Sequence, residues 1–243
     1  MYIKATHSTN TLMKELLAKG EWPEGERFLY TAFQTAGRGQ AGNGWESEEG
    51  KNLLCSILLP PNKNLYFLNI AIGVALLRVI GEDFTIKWPN DIYYGDKKVA
   101  GILIENAIIG NEIKYSIAGI GLNVNQTTFL SSAPNPVSLK QISGKETDID
   151  ALMQALMTQI EALEAMDEAQ VWAYYRDHLY RREGFWPFVE REVSTAPTMN
   201  ADRKTEGVFL AKIENVRTNG EIELRDQNGN LRIYHFKQVR YVL

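Results

Sequence analysis

The chain has 243 residues, 30 acidic side chains against 26 Lys and Arg, a formal charge of -4 and a sequence pI near 5.5. That balance gives no global attraction to nucleic acid or anionic lipid, and 44% hydrophobic with 23% charged residues excludes a disordered or fibrous chain. One cysteine excludes a disulfide framework, and neither a signal-peptide layout nor a run of roughly 18 apolar residues is present, so a cytoplasmic protein with no DNA and no membrane partner is expected.

In chain order, Ser8-Thr9-Asn10 before Leu12, Leu16 and Leu17, closed by Gly20, predicts a short helix capped by those hydroxyl and amide side chains. Arg27 to Thr35 reads as a strand, and Gly37 to Lys51 as a long surface loop without apolar period. Leu53 to Leu59 is an apolar strand carrying Cys55, read as a buried thiol. Leu65 to Ile80 is apolar enough all round for a mostly buried helix, and Phe84 to Trp88 resumes as strand. From Ile92 to Val124, β-branched and aromatic runs broken by Gly95-Asp96 and Gly110-Asn111 predict hairpins in a mainly antiparallel or mixed sheet, with an exposed edge near residues 108 to 117. Asp148 to about Arg182 has the three-and-four apolar spacing of one amphipathic helix. Gly184 and Pro187 mark a boundary between residues 1–184 and 185–243. The short strands beyond it, with Asn219-Gly220 and Asn228-Gly229 turns, predict a small antiparallel barrel.

Three segments carry chemistry. Gly37-Arg38-Gly39-Gln40-Ala41-Gly42 satisfies the dinucleotide-binding spacing G-x-G-x-x-G, but Asn43-Gly44 and Ser47-Glu48-Glu49-Gly50 cannot sustain the helix that motif must open. What is left is a loop with one arginine and one tryptophan, a solvated loop or an anion-binding lid with equal reason. Lys87-Trp88-Pro89-Asn90-Asp91 is either a common Pro-Asn-Asp turn or a set of polar groups held at the mouth of an apolar site. Gly119 and Gly121, inside the apolar run Ala118 to Val124, mark a bulge or a close approach to the backbone. His7, His178 and His235 have no metal-ligand spacing, and Cys55 has no evident catalytic partner.

Taken together, Gln34-Thr35-Ala36-Gly37-Arg38-Gly39, Lys87-Trp88-Pro89-Asn90-Asp91, Lys98-Val99-Ala100-Gly101-Ile102-Leu103-Ile104-Glu105 and Gly119-Ile120-Gly121-Leu122-Asn123 resemble the biotin protein ligases in order and spacing. The resemblance implies an α+β fold with a mixed, mainly antiparallel sheet and flanking helices, a class II synthetase-like catalytic domain, and a small C-terminal SH3-like β-barrel. It implies ATP and biotin as substrates, Mg²⁺, and the biotin carboxyl carrier domain of a biotin-dependent carboxylase as partner, with a homodimer open. The chain begins a few residues before Ser8, so no N-terminal DNA-binding domain and no repressor role are expected.

Carried over residue by residue, the resemblance places Ser8, Thr9, Asn10, Gln34, Gly37, Arg38, Gly39, Gln40, Lys98, Gly101, Gly119 and Gly121 around biotin, the first three also being able to cap their helix. Arg38, Trp45, Lys87, Asn90 and Asn123 would meet the nucleotide. Lys98 and Arg38 would neutralise charge in the reaction, and Asp91 would orient a lysine or a metal ion. The sequence departs from the family pattern at Gln40, where an arginine usually helps to retain the adenylate, so a faster leak of that intermediate is expected. A lipoate ligase of the same fold and a non-catalytic ligand-binding module are the competing readings.

Overall fold

A computed structural model describes residues 1–61, 64–110, 112–131, 135–191 and 207–243. Strand β1 (Tyr2–Thr6) leads into α1 (Thr9–Lys19), which ends at Gly20 in the left-handed conformation, φ 71°. Ser8 stands at the N-cap, yet no side chain caps this helix; the Thr9 hydroxyl and the Asn10 amide, inside its first turn, bond to other elements instead. Strands β2 (Phe28–Gln34) and β3 (Asn52–Leu59) follow, then α2 (Leu65–Ile80), whose first turn is capped by Asn64 accepting from the Phe67 amide. Strand β4 (Thr85–Lys87) stops ahead of a cis Trp88-Pro89 peptide, one residue short of the expected strand. Strands β5 (Asp91–Tyr94), β6 (Lys97–Ile109) and β7 (Glu112–Asn123) complete a seven-stranded sheet in the order β1-β2-β3-β7-β6-β5-β4, antiparallel except for β1 with β2. Gly95 turns β5 into β6 with φ 52°. Gly110 also has positive φ, and Asn111 of the second predicted hairpin lies outside the described residues.

After the short α3 (Leu139–Ser143), the single amphipathic helix expected from Asp148 to about Arg182 is two helices, α4 (Ile149–Glu164) and α5 (Glu168–Asp177). The apolar spacing is real, but the Asp167 carboxylate accepts from the Ala169 amide and starts a new helix, an N-cap inside the run. The expected open edge near residues 108 to 117 is found in part: residues 116–123 of β7 pair with β3, whereas 112–115 of β7 and the side of β6 beyond Gly101, with Ile108 and Ile109, have no further strand partner among the described residues.

Alternation along β7 divides the molecule. Ala118, Ile120, Leu122 and Val124 face the main core under α2, α4 and α5, whereas Ile117 joins Met13 of α1 and Leu29 in a smaller cluster on the opposite face. Gly119, Gly121 and Asn123 fall on that second face. Cys55 is fully buried in the main core, and desolvation pushes its thiol up to about 12, as an inert core residue requires.

The C-terminal part forms a second, all-antiparallel sheet of β8 (Trp186–Glu190), β9 (Val208–Val216), β10 (Ile222–Asp226), β11 (Leu231–Tyr234) and β12 (Val239–Tyr241), in the order β11-β10-β9-β8-β12. It docks on the first sheet through the Trp88 indole, which donates to the Gly220 carbonyl at 2.9 Å and meets Phe236 edge-on. Gly220 has φ 90°, and an added Cβ would lie 2.7 Å from the Tyr66 ring. Gly220→Ala should therefore destabilise the protein by about 2 kcal/mol in urea unfolding, combining the strained φ with overpacking against Tyr66.

Candidate active site

Strand register sets the floor of the site. Asp91 on β5 pairs with Gly101 on β6, and Gly101 pairs with Gly121 on β7, so a row across three strands carries one carboxylate and two bare backbones. The choice left open by the glycines in β7 falls to close approach. The register irregularity between β6 and β7 lies at Ala107/Ile108, while a Cβ on Gly121 would meet the Trp45 indole at 2.3 Å and one on Gly119 the Asn10 amide at 2.5 Å. Trp45 thus lies directly on the glycine floor, also 3.1 Å from where a Gly101 Cβ would stand.

The glycine-rich loop is a built element. Gly39 donates to the Asn43 carbonyl at 2.7 Å and Trp45 to the Gly37 carbonyl at 2.9 Å, folding residues 37–45 into a tight hairpin around a 3-10 turn at Gln40–Gly42. Gly37 is required there because a Cβ would stand 2.5 Å from the Trp45 carbonyl oxygen. Beyond Trp45 the loop is tied down: the Glu46 carboxylate accepts from the Leu130 and Ser131 amides at 2.7 Å each, and Gln126 accepts from the Glu48 amide and the Asn52 side chain.

Every residue that the resemblance places around biotin or the nucleotide lines one cavity of about 1300 Å³ beneath this loop. At one end, the Thr9 amide and hydroxyl donate to Gln34 Oε1 at 2.8 and 3.1 Å, and Ser8, Thr9 and Asn10 are each 3% exposed. Asn10 accepts from Ser56 at 2.6 Å and donates to Glu105 at 2.9 Å. Glu105 also holds Lys14 and Arg38, each at 2.5 Å. Burial alone would push its carboxyl up, but hydrogen bonds from Lys14, Asn10 and Arg38 outweigh that and hold it below the usual glutamate range. At the centre, the Lys98 ammonium pairs with Asp91 at 2.7 Å and lies over the Trp45 ring at 5.6 Å; its backbone is fixed by bonds to residues 135 and 137. Asn90 and Asn123 are buried and use their amides on the Ile102 and Val137 carbonyls. Lys87 sits between the rings of Tyr93 and Tyr241 at 4.9 and 5.0 Å from their centroids. Burial depresses its ammonium below the usual lysine value; Asp91 opposes this, and Lys98 and Arg181 add to it.

Sequence reasoning missed Glu105 as the organiser of Asn10, Lys14 and Arg38, although it closes a quoted motif. It also missed the wall supplied by the second sheet, where Arg191, Phe236, Lys237, Arg240 and Tyr241 line the same cavity. Within the site, Gln40 Oε1, Trp45 Nε1, Ser47 Oγ and Tyr241 Oη are buried without a hydrogen-bond partner.

A glycine-rich hairpin held by its own backbone bonds, a lysine paired with a carboxylate over a bare floor and one arginine at the loop make an anion-handling site rather than a dinucleotide fold. The sequence matches the model of the biotin/lipoate A/B protein ligase family over residues 2–123, and the chain belongs to that family. It is 31% identical to the bifunctional ligase/repressor BirA of Bacillus spizizenii, over 96% of this chain and 71% of that one. It is 29% identical to the biotin (acetyl-CoA-carboxylase) ligase of Mycobacterium tuberculosis, over 66% of this chain and 62% of that one. Among solved structures, the biotin protein ligase of Aquifex aeolicus in complex with biotin and ATP is similar, with a TM-score of 0.77 at 24% identity, covering 100% of this chain and 98% of that one.

The depressed Glu105 carboxyl makes its network acid-sensitive: the stability it contributes is complete above the ordinary glutamate value of about 4.3 and is lost as pH falls through the lower folded value. Glu105→Gln should lower stability at pH 7 by about 1 kcal/mol and flatten the acid limb of a thermal-unfolding profile against pH.

Proposed function

We propose that this site carries out the two half-reactions of a biotin protein ligase. Biotin is activated by ATP to biotinyl-AMP, and the biotinyl group then passes to a specific lysine of a biotin carboxyl carrier protein. The observation that carries the reading is the convergence of four motif segments, distant in the chain, on one cavity whose centre is the Lys98–Asp91 pair. In the first step a biotin carboxylate oxygen bonds to the α-phosphorus and the bond to pyrophosphate breaks. In the second the carrier amine bonds to the acyl carbon, the acyl–phosphate bond breaks, AMP leaves and the amine loses its proton.

The chain's own groups fit these demands. Lys98, held by Asp91, would stand beside the reacting carboxylate and α-phosphate, and Arg38, aimed by Glu105, would add a second positive charge at the loop. Ser8, Thr9, Asn10 and Gln34 form the polar end suited to the ureido and valerate parts of biotin, with Gly37, Gly39 and Gln40 above and Gly101, Gly119 and Gly121 below, the Trp45 indole that rests on Gly101 and Gly121 giving way as the ligand enters. Lys87, Asn90 and Asn123 would face the nucleotide, and Trp45 would cover it with the loop. Sealing an acyl phosphate from water is the physical reason for a folded hairpin there. Mg²⁺ would come with the phosphates: among the described residues no three metal-capable side chains cluster, and Asp91, already engaged by Lys98, is the carboxylate at the centre of the site that would meet it. In this reading residues 1–184 are the catalytic unit and 185–243 a small SH3-like unit closing one wall. The open side of β6, with Ile108 and Ile109 exposed, would serve a carrier or a second copy of the chain. Among the described residues no helix is long and apolar enough to cross a membrane.

Biotin-dependent exchange of labelled pyrophosphate into ATP, with lipoate and octanoate as parallel acids, tests the reaction. Exchange with biotin alone is expected, and exchange with lipoate instead would overturn the substrate. Lys98→Ala should bind biotin but form adenylate at least about a hundredfold more slowly, and adenylate formation at the normal rate would remove Lys98 from the chemistry. Gln40→Arg should slow release of biotinyl-AMP into solution, measured by filtration of the enzyme-bound intermediate.

A further inference from the structure

The second sheet reaches into the site at a place that no motif marks. Lys87 leaves β4 half-buried, with no carboxylate within ion-pair distance and no hydrogen bond from its ammonium to any described residue. Its charge is instead held between two ring faces, Tyr93 from the first sheet and Tyr241 from β12 of the second, at nearly equal distances of 4.9 and 5.0 Å. Tyr241 is 8% exposed, lines the cavity, and packs on Phe188 and Tyr180, so its ring cannot turn away. The sheet that carries it is fixed to that segment by the Trp88 indole on the Gly220 carbonyl, and to the chain just after α5 by the Arg181 guanidinium on the Val242 carbonyl at 2.8 Å. An ammonium whose charge is steadied by aromatic faces and whose three N–H donors stay unspent is poised for an anion arriving from the cavity.

We propose that Tyr241 is a positioning residue for ATP: its ring face fixes the Lys87 ammonium toward the nucleotide phosphates, so the second sheet completes the nucleotide site. The inference rests on the reading of Lys87 as a nucleotide-facing group. The ring does the positioning. The buried Tyr241 hydroxyl, which makes no hydrogen bond, is dispensable to it. Lys237, Arg240 and Arg191 on the same wall add positive potential without touching Lys87.

Steady-state pyrophosphate exchange on the full chain, read as KM for ATP and kcat separately, tests this together with equilibrium binding of biotin alone. Tyr241→Leu should raise KM for ATP roughly tenfold with kcat and biotin affinity little changed, and Tyr241→Phe should restore KM to within about twofold of the parent. Lys87→Met should raise KM at least as much, and Tyr241→Leu added to it should cost nothing further, because the ring acts only through the ammonium. If Lys87→Met leaves KM for ATP unchanged, the nucleotide assignment of Lys87 fails. If Lys87→Met raises KM while Tyr241→Leu does not, or if the two effects multiply, Tyr241 does not position Lys87. A Tyr241→Leu chain that loses biotin binding as well would show a structural role and overturn the proposal, with Tyr241→Phe impaired equally assigning the effect to the hydroxyl instead.

Discussion

The register of β6 against β7 is the constraint on which the rest of the site depends. It sets Gly101 opposite Gly121 and extends the row to Asp91 on β5, producing a flat patch of backbone with a carboxylate at its edge. A side chain at either glycine would collide with the Trp45 indole, so the loop can lie down on the sheet only because this patch is bare. A slip of one residue would turn Ile120 and Leu122 onto the patch and Gly119 and Gly121 into the core. The apolar alternation of β7, with four residues locked under α2, α4 and α5, forbids that slip.

Around that floor, charges are arranged in two pairs with different jobs. Asp91 holds Lys98 at the centre, a short pair between partly buried groups whose partner strands are paired to each other, so it orients the amine without removing it from the cavity. Glu105 gathers Arg38, Lys14 and Asn10 at the periphery and connects the loop to α1 and β6. Asn10 ties the Glu105 cluster to the sheet, pressed on Gly119, bonded to Ser56 on β3 and to Glu105 on β6. The polar residues at the start of α1 are therefore spent on the site, and the helix forgoes a side-chain cap worth about 1 kcal/mol to allow it.

Much of this was legible in the sequence, and for identifiable reasons. The β7 alternation announced both the core face and the glycines, and the apolar run from Leu65 to Ile80 announced α2 with its bounds. The loop from Gly37 could be denied a Rossmann role because Asn43-Gly44 cannot carry a helix, and the hairpin now explains the glycines by close contacts. What stayed hidden depends on distant residues meeting. Nothing local links Glu105 to Lys14 or Arg38, and Tyr241 reads as an ordinary inward residue of a short strand. The break before α5 was visible only as Asp167, a single capping residue inside an unbroken apolar rhythm.

The central claim is that the acyl phosphate forms between Lys98 and Arg38 over the Gly101–Gly121 floor. A crystal structure of the chain with a non-hydrolysable biotinyl-adenylate analogue tests it most directly. The account predicts the linkage that replaces the acyl phosphate within hydrogen-bond distance of the Lys98 ammonium, the bicyclic ring toward Ser8, Thr9 and Asn10, and the adenosine toward Asn123 and Trp45. An analogue bound with that linkage turned away from Lys98, or seated outside the cavity, would contradict it.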